Sequence, residues 1–304
     1  MTISSYLKRI GRGSKGASDL SREEAEFVFA QILNKSVTDL EIGAFCLAMR
    51  MKGETSAELL GFMDALEKDA LKLDGHNQKI IVLPSYNGSR RQINLVPLLS
   101  AKLQERGFQV FVHGITNDPS RVTTYQIWQE LGWPIMNTSP DFAELIKQGK
   151  PIFCPIQLMS PKLYELLMVR STLGLRNTGH VLAKLLNPFA RNYKLLWQVS
   201  NYTHPEYPKV LDDYFSNRKL NVVLMRGHEG EPIASLQRIP KLQFIWTDGL
   251  RKSIEEVHCA TKLLMENLDA SASANFINEV LANMKPCPET INLQVNTLST
   301  HLVN

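Results

Sequence analysis

Residues 153–188 read FCPIQLMSPKLYELLMVRSTLGLRNTGHVLAKLLNP, and the parsing of this stretch decides the fold. An apolar, strand-like run from Pro151 to Ile156 stops at Ser160-Pro161, and a Pro at the first helical position behind a Ser cap is a good helix start. A helix is expected from there to Gly174, with Leu163, Leu166, Leu167 and Leu173 on one apolar face and Lys162 and Arg170 off it. A second short helix follows, with Val181, Leu182, Leu185 and Leu186 apolar and His180 and Lys184 one turn apart, until Asn187-Pro188 ends it. Two short helices between α/β segments thus display Lys162, Arg170, Arg176, His180, Lys184 and, just beyond, Arg191. Glu165 is the one carboxylate among them.

Working outward, the segments on either side alternate strand and helix. KIIVLP from Lys79, QVFVHG from Gln109, PIFCPI from Pro151, KLLWQVS from Lys194, NVVLMRG from Asn221 and KLQFIWT from Lys241 read as buried strands. NLVPLLSAKLQERG and VTTYQIWQELG read as helices between the first three. Such alternation implies a mainly parallel sheet with helices on both faces. Two amphipathic C-terminal helices are expected near residues 251–268 and 273–284. Toward the N-terminus the pattern becomes all-helical. Ser21 with Glu24, Thr38 with Glu41 and Thr55 with Glu58 are capping boxes, each a hydroxyl at the cap and a Glu three residues on. Behind them Phe27, Val28, Leu33, Ile42, Phe45, Leu47, Met49, Leu59, Leu60, Phe62, Met63 and Leu66 recur at helical spacing. The fold class is therefore α/β. A small all-helical N-terminal domain, residues 1–75, is completed by the helices at 158–187, and a large mainly parallel-sheet α/β domain comprises 76–157 and 188–304.

Composition bounds the function. At 304 residues, with 44% hydrophobic and 21% charged residues, the chain is ordinary globular material. It has no apolar run of 18 residues and no secretory core behind its first basic residues, so no membrane span or signal is expected and cytoplasmic residence is the default. Cys46, Cys154, Cys259 and Cys287 are far apart, without metal-ligand spacing, and read as free thiols rather than a zinc site. The net charge of +4 is unevenly spread. Residues 1–20 carry four Lys/Arg against one Asp, and residues 84–194 carry thirteen against six acidic residues, while both other stretches are net acidic. Two basic regions on an otherwise acidic chain suggest an anionic partner. The first, around I-G-R-G-S-K-G, offers Lys8, Arg9, Arg12 and Lys15 in a Gly-rich loop that can follow a phosphate backbone. It lacks P-loop spacing, and a mobile basic terminus is the alternative.

The central spacing R-x-x-L-G-x-R followed by N-P resembles the signature of anthranilate phosphoribosyltransferases and related pyrimidine nucleoside phosphorylases, the glycosyltransferase family 3 fold. More narrowly, R-N-x-x-H-x-L-A-K-L-x-x-P-F, from Arg176 to Phe189, is similar to the YbiB-type branch, a TrpD-like family of nucleic-acid-binding proteins that keeps the transferase fold without its catalytic motifs. The resemblance implies that part of the helical domain packs against a second subunit; the alternative is that the helices at 160–187 cover it.

The family's reaction centre is altered in each of its motifs. Its diphosphate loop G-T-G-G-D-G becomes Leu83-Pro84-Ser85-Tyr86-Asn87-Gly88, in which Pro84 removes an amide and Tyr86 adds bulk, and Arg90 and Arg91 follow. K-H-G-N-R becomes Val112-His113-Gly114-Ile115-Thr116, with Pro119, Ser120 and Arg121 opposite a downstream S-S-K; His113 reads as a packed or hydrogen-bonded residue. The magnesium-holding acidic pair falls on Arg226-Gly227-His228-Glu229-Gly230-Glu231-Pro232, where a turn stabilised by Glu-Arg pairing is expected instead of a metal. Arg176, which the resemblance places against the anthranilate carboxylate, is kept, while His180 and Ala183-Lys184 replace the family's Asn and Gly-Pro.

The expected function is accordingly sequence-nonspecific binding of DNA, and possibly RNA, by a homodimer on a catalytically inactive scaffold, with no catalytic residue, metal or cofactor. Lys8, Arg9, Arg12, Lys15, Arg90, Arg91, Arg121, Arg170, Arg176 and Lys184 are the candidate phosphate contacts. Tyr6, Tyr86 and Tyr125 are candidate base-stacking platforms. The alternatives are a magnesium-dependent phosphoribosyltransferase or phosphorylase of unusual specificity, using His113 or Glu229, and a scaffold whose basic cleft takes an acidic protein or small anion.

Overall fold

In the computed structural model, which describes residues 2–13, 15–189, 195–259 and 267–302, the three capping boxes start three helices. Ser21, Thr38 and Thr55 each accept from the amide three residues on, and the Glu there reaches back to the cap amide. They open α2 (Arg22–Leu33), α3 (Asp39–Lys52) and α4 (Ser56–Leu66), behind the short α1 (Ser4–Ile10). The helices meet at Phe29, Phe45 and Phe62, whose rings lie 5.1–6.3 Å apart. Glu58 is fully buried, yet its carboxylate accepts from the amides of Leu20 and Thr55 and pairs with Lys52 at 2.8 Å. The buried charge is thus matched by donors and a cation.

The sheet has strand order β3-β2-β1-β4-β5-β7-β8. Its strands are β1 (Ile80–Ser85), β2 (Gln109–Gly114), β3 (Ile152–Pro155), β4 (Leu196–Tyr202), β5 (Val222–Arg226), β7 (Leu242–Ile245) and β8 (Arg251–Ile254); β6 (Arg238–Ile239) and β9 (Val257–His258) form a separate ribbon. The first five pair in parallel and β7 and β8 add on antiparallel. Because strand side chains alternate, Ile80 and Val82 face one side and Ile81 and Leu83 the other, and all four are buried. The second face is covered by α5 (Val96–Gln104), α6 (Thr124–Glu130), α13 (Ala270–Leu281) and α14 (Glu289–His301), through residues such as Leu99, Ile127, Ile277 and Ile291. The first face belongs to the same apolar cluster as Phe29, Phe45 and Phe62, so one core runs from the helical layer onto the sheet. The helices α7 (Asp141–Ile146), α8 (Ile156–Met159), α9 (Pro161–Met168), α10 (Arg170–Leu173), α11 (Gly179–Leu185) and α12 (Tyr207–Arg218) complete the order. Of these, α9 packs on α2, and α11 reaches α4, β1 and β4.

Two expectations are corrected. The helix from 161 to 174 is two pieces, α9 and α10, closed by Gly174 in the left-handed region. The segment from residue 251 is not helical at its start. Residues 251–254 return as β8 beside β7, because Thr247-Asp248-Gly249 forms a tight turn in which Asp248 accepts from the Leu250 amide and Gly249 takes φ +90°. The remainder of that expected helix, from Ala260 to Glu266, and Arg191 lie outside the described residues. No described helix is long and apolar enough to cross a membrane.

Candidate functional site

β1 has β2 on one side and β4 on the other, and in an open parallel sheet the crevice where strand order reverses lies beyond the carboxyl ends of those strands. The loop leaving β1 at Ser85 therefore enters the place where the fold puts a ligand. It is already filled. Glu231, fully buried, accepts from the amides of Asn87 at 2.7 Å and Gly88 at 2.5 Å through Oε1, and from the Ser85 hydroxyl at 2.5 Å through Oε2. Two backbone amides and a hydroxyl converging on one anion make a cradle. Here the anion is the chain's own carboxylate.

The turn that delivers Glu231 is tightly specified. Glu229 and Gly230 take φ +49° and +89°, and a Cβ on Gly230 would lie 1.5 Å from Asn87 Nδ2. Only glycine lets the two loops approach so closely. Asn87 Nδ2 donates to the Glu229 carbonyl at 2.8 Å, and the amide of Arg91 donates to the Glu229 carboxylate at 2.9 Å. Arg121 spans both loops, donating to the Gly88 carbonyl at 3.1 Å and to the Glu229 carboxylate at 3.3 Å. The Glu-Arg turn expected at residues 226–232 is corrected in its partner: Glu229 pairs with Arg121 from another loop, and Arg226 of the turn itself makes no ion pair among the described residues. With Glu231 sealed in and Glu229 held by amides and a guanidinium, these carboxylates do not fit a magnesium site. Among the described residues no other group of His, Cys, Asp and Glu could hold a metal.

Several expected phosphate contacts are engaged within the protein, Lys184 and Arg176 at this lock and Arg170 and Arg9 elsewhere. Lys184 donates to the Gly230 carbonyl at 2.8 Å and to Asn201 Oδ1 at 3.0 Å, and burial lowers its pKa to about 8. Arg176 donates to Asn87 Oδ1; burial, then Arg170 and Arg121, lower its pKa to about 10. Arg170 pairs with Asp118 at 2.9 Å. Arg9, on α1, holds Glu24 at 2.5 Å and the Asp19 carbonyl at 2.8 Å, tying the N-terminal loop to the cap of α2. The side chains of Lys8, Arg12, Lys15, Arg90 and Arg91 are different: all are exposed and none makes an ion pair among the described residues. Of the stacking candidates, Tyr86 is buried with its hydroxyl 2.6 Å from His113 Nδ1, so it cannot offer a face to a base. His113 is the packed, hydrogen-bonded residue expected. Tyr125 lies against Phe153, and half-buried Tyr6 against Phe27.

A cleft between the helical layer and the sheet is lined by Arg50, Lys52, Arg176 and Lys184 rather than by these outward cations. Cavities of about 360 and 410 Å³ share Arg50, Arg176, His204 and Tyr207; the first runs to Lys184 and Asn201, the second to Asp19 below the N-terminal loop. Exposed Arg50 was not singled out by the sequence, since a cation in the last turn of a helix reads as a partner of the helix dipole. On the opposite side of His180 and Gly174 a further cavity of about 380 Å³ is lined by Tyr164, Arg170 and Asp118.

The chain matches the model of the glycosyl transferase family helical bundle domain over residues 4–70. It is 39% identical to the YbiB protein of Escherichia coli over 97% of this chain and 92% of that one. It is 30% identical to the anthranilate phosphoribosyltransferase of Methanopyrus kandleri, over 60% of this chain and 53% of the enzyme. Among solved structures, the anthranilate phosphoribosyltransferase (TrpD) of Thermus thermophilus superposes with a TM-score of 0.72 at 17% identity, covering 95% of this chain and 87% of that one. The Saccharomyces cerevisiae enzyme in complex with PRPP and Mg gives 0.72 at 16% identity, covering 97% and 87%. The fold is the TrpD-like one, a helical domain on a mainly parallel α/β sheet.

Proposed function

We propose that this chain, which belongs to the same family as the Escherichia coli YbiB protein, is a nucleic-acid-binding protein on a transferase scaffold, without phosphoribosyl transfer activity. The observation that carries this reading is the position of Glu231. A diphosphate entering the crevice would have to expel a buried carboxylate that already takes two amides and a hydroxyl, and would meet its charge if it did not. Among the accessible cations, Lys8, Arg12, Lys15, Arg50, Arg90 and Arg91 come from separate exposed loops and helix ends and do not converge on a single pocket, Arg50 and Arg91 lining different cavities. Cations so placed suit the repeated phosphates of a polymer, and they carry no base readout. Arg9, Arg121 and Arg170 act in this reading by holding the loops in place.

The assembly is a homodimer through the helical domain. Leu40, Leu47 and Met51 on α3 are 83%, 48% and 66% exposed, and spacings of seven and four put them on one helix face. Such an apolar stripe on a soluble fold calls for a partner surface, and a second copy supplies an identical one.

The test is fluorescence anisotropy with unrelated DNA and RNA oligonucleotides across a salt series, with phosphoribosyl diphosphate plus magnesium as a parallel ligand and sedimentation for the dimer. Sequence-independent affinity falling with log salt, by about 0.9 per phosphate neutralised on a duplex, is expected. Saturable diphosphate binding with negligible nucleic-acid affinity would overturn the reading in favour of a transferase.

A further inference from the structure

On the same carboxyl edge of the sheet, but outside the lock, lies a cavity of about 300 Å³ lined by Arg91, Arg226 and Arg238 with Thr203, Ser235 and His228. Its arginines come from separate parts of the chain: Arg91 from the loop after β1, Arg226 from the end of β5, and Arg238 from the β6 ribbon. Thr203 follows the end of β4, where Tyr202 is in register with Arg226. Arg91 and Arg226 are exposed and make no side-chain ion pair among the described residues, while Arg238 stands 3.3 Å from Glu256. The carboxylate on the cavity wall, Glu229, is already held by Arg121 and by the amides of Arg90 and Arg91. His228 Nε2 is buried with no hydrogen-bond partner among the described residues, 3.8 Å from Glu229 Oε1.

Like-charged guanidiniums gathered at one cavity repel one another unless an anion sits between them. We propose that this cavity is a binding site for a phosphomonoester dianion, carried either by a free mononucleotide or by the terminal phosphate of a nucleic-acid strand. Two guanidiniums without ion-pair partners among the described residues and a third shared with Glu256 balance a dianion better than the single charge of an internal phosphodiester. Arginine forks match phosphate oxygens two at a time, and the hydroxyls of Thr203 and Ser235 are donors at the rim. The volume admits the phosphate together with an attached sugar. The site stands on its own residues and does not require the polymer-binding reading.

Isothermal titration calorimetry of the full chain with thymidine 5′-monophosphate, with inorganic phosphate as competitor, tests it. One nucleotide per chain is expected, displaced by phosphate. Arg226→Gln and Arg238→Gln should each weaken it about tenfold or more, on the order of 1.4 kcal/mol. Lys8→Gln with Arg12→Gln should leave it unchanged, so nucleic-acid binding and this site fail separately. Comparing 5′-phosphorylated with 5′-hydroxyl oligonucleotides then names the source. Preference for the phosphorylated strand assigns a terminal phosphate, and equal affinity assigns a free nucleotide. Absence of saturable binding, or binding that both arginine variants retain at full strength, overturns the proposal.

Discussion

Around Glu231 the cations turn inward, with Lys184 on the Gly230 carbonyl, Arg176 on Asn87 and Arg121 across both loops, whereas on the N-terminal loop and at Arg90 and Arg91 they turn to solvent. Both groups look alike in the sequence, as basic residues in basic stretches. The difference teaches that charge density marks a region and not the partner of each cation. A cation that closes a buried lock has given its donors to the protein, and only one left outside can exchange counterions for phosphates.

The largest effect should come from breaking the lock. Glu231→Ala leaves the Asn87 and Gly88 amides and the Ser85 hydroxyl without this acceptor in a buried site beside cations, a loss of about 3–5 kcal/mol in urea unfolding. Glu231→Gln keeps one carbonyl acceptor and should lose about 1–3 kcal/mol. An alanine variant as stable as the parent would remove the basis of the lock, whatever its nucleic-acid affinity.

The inward side should also titrate. Burial holds His113 and His180 neutral, with pKa values lowered from 6.5 to about 3, and Arg176 and Arg170 add to the shift at His180. Between those values the unfolded chain binds protons that the folded chain does not. Stability should therefore be insensitive to these rings above pH 6.5 and fall as pH drops below it, by up to about 1.4 kcal/mol per pH unit for each ring. Unfolding measured between pH 7 and 4 checks this, and His180→Asn should remove one ring's share of the slope.

On the outward side, replacing Lys8, Arg12 and Lys15 together by Gln should leave stability within about 0.5 kcal/mol, as for surface sites without partners. The same variant should flatten the salt dependence of single-strand binding by about 0.7 for each phosphate that is no longer neutralised. Arg9→Gln sharpens the contrast, because it breaks the Glu24 pair and should change stability more than salt slope. The smallest effect is expected for Arg90→Gln alone, a single exposed cation; a large stability loss there would place it with the inward group.

The three capping boxes were legible because they are local: a hydroxyl and a Glu three residues apart carry their own geometry. The buried strands were legible from unbroken apolar runs. The β7-β8 hairpin was not, since residues 251–268 carry a helical apolar period and the turn signal Asp248-Gly249 was outweighed by it. Helices α7, α12 and α14 were missed; none of them has a side-chain N-cap to announce its start. A Glu-Arg turn at Glu229 was anticipated, but with Arg226 close by rather than with Arg121, which comes from another loop. The destination of Glu231 was not, because its acceptor role depends on a loop more than 140 residues earlier.

By itself, the sequence determined the helical and α/β layers, the mainly parallel sheet, and, through the resemblance to the transferases, the departure of residues 83–88 from their glycine-rich loop, because each is written in patterns a few residues long. Tertiary structure alone decided which cations are spent on the fold and which face solvent, and that a carboxylate fills the cradle. Those outcomes depend on loops brought together across the strand-order reversal, where pairing a buried charge is decided by distance in space and not along the chain.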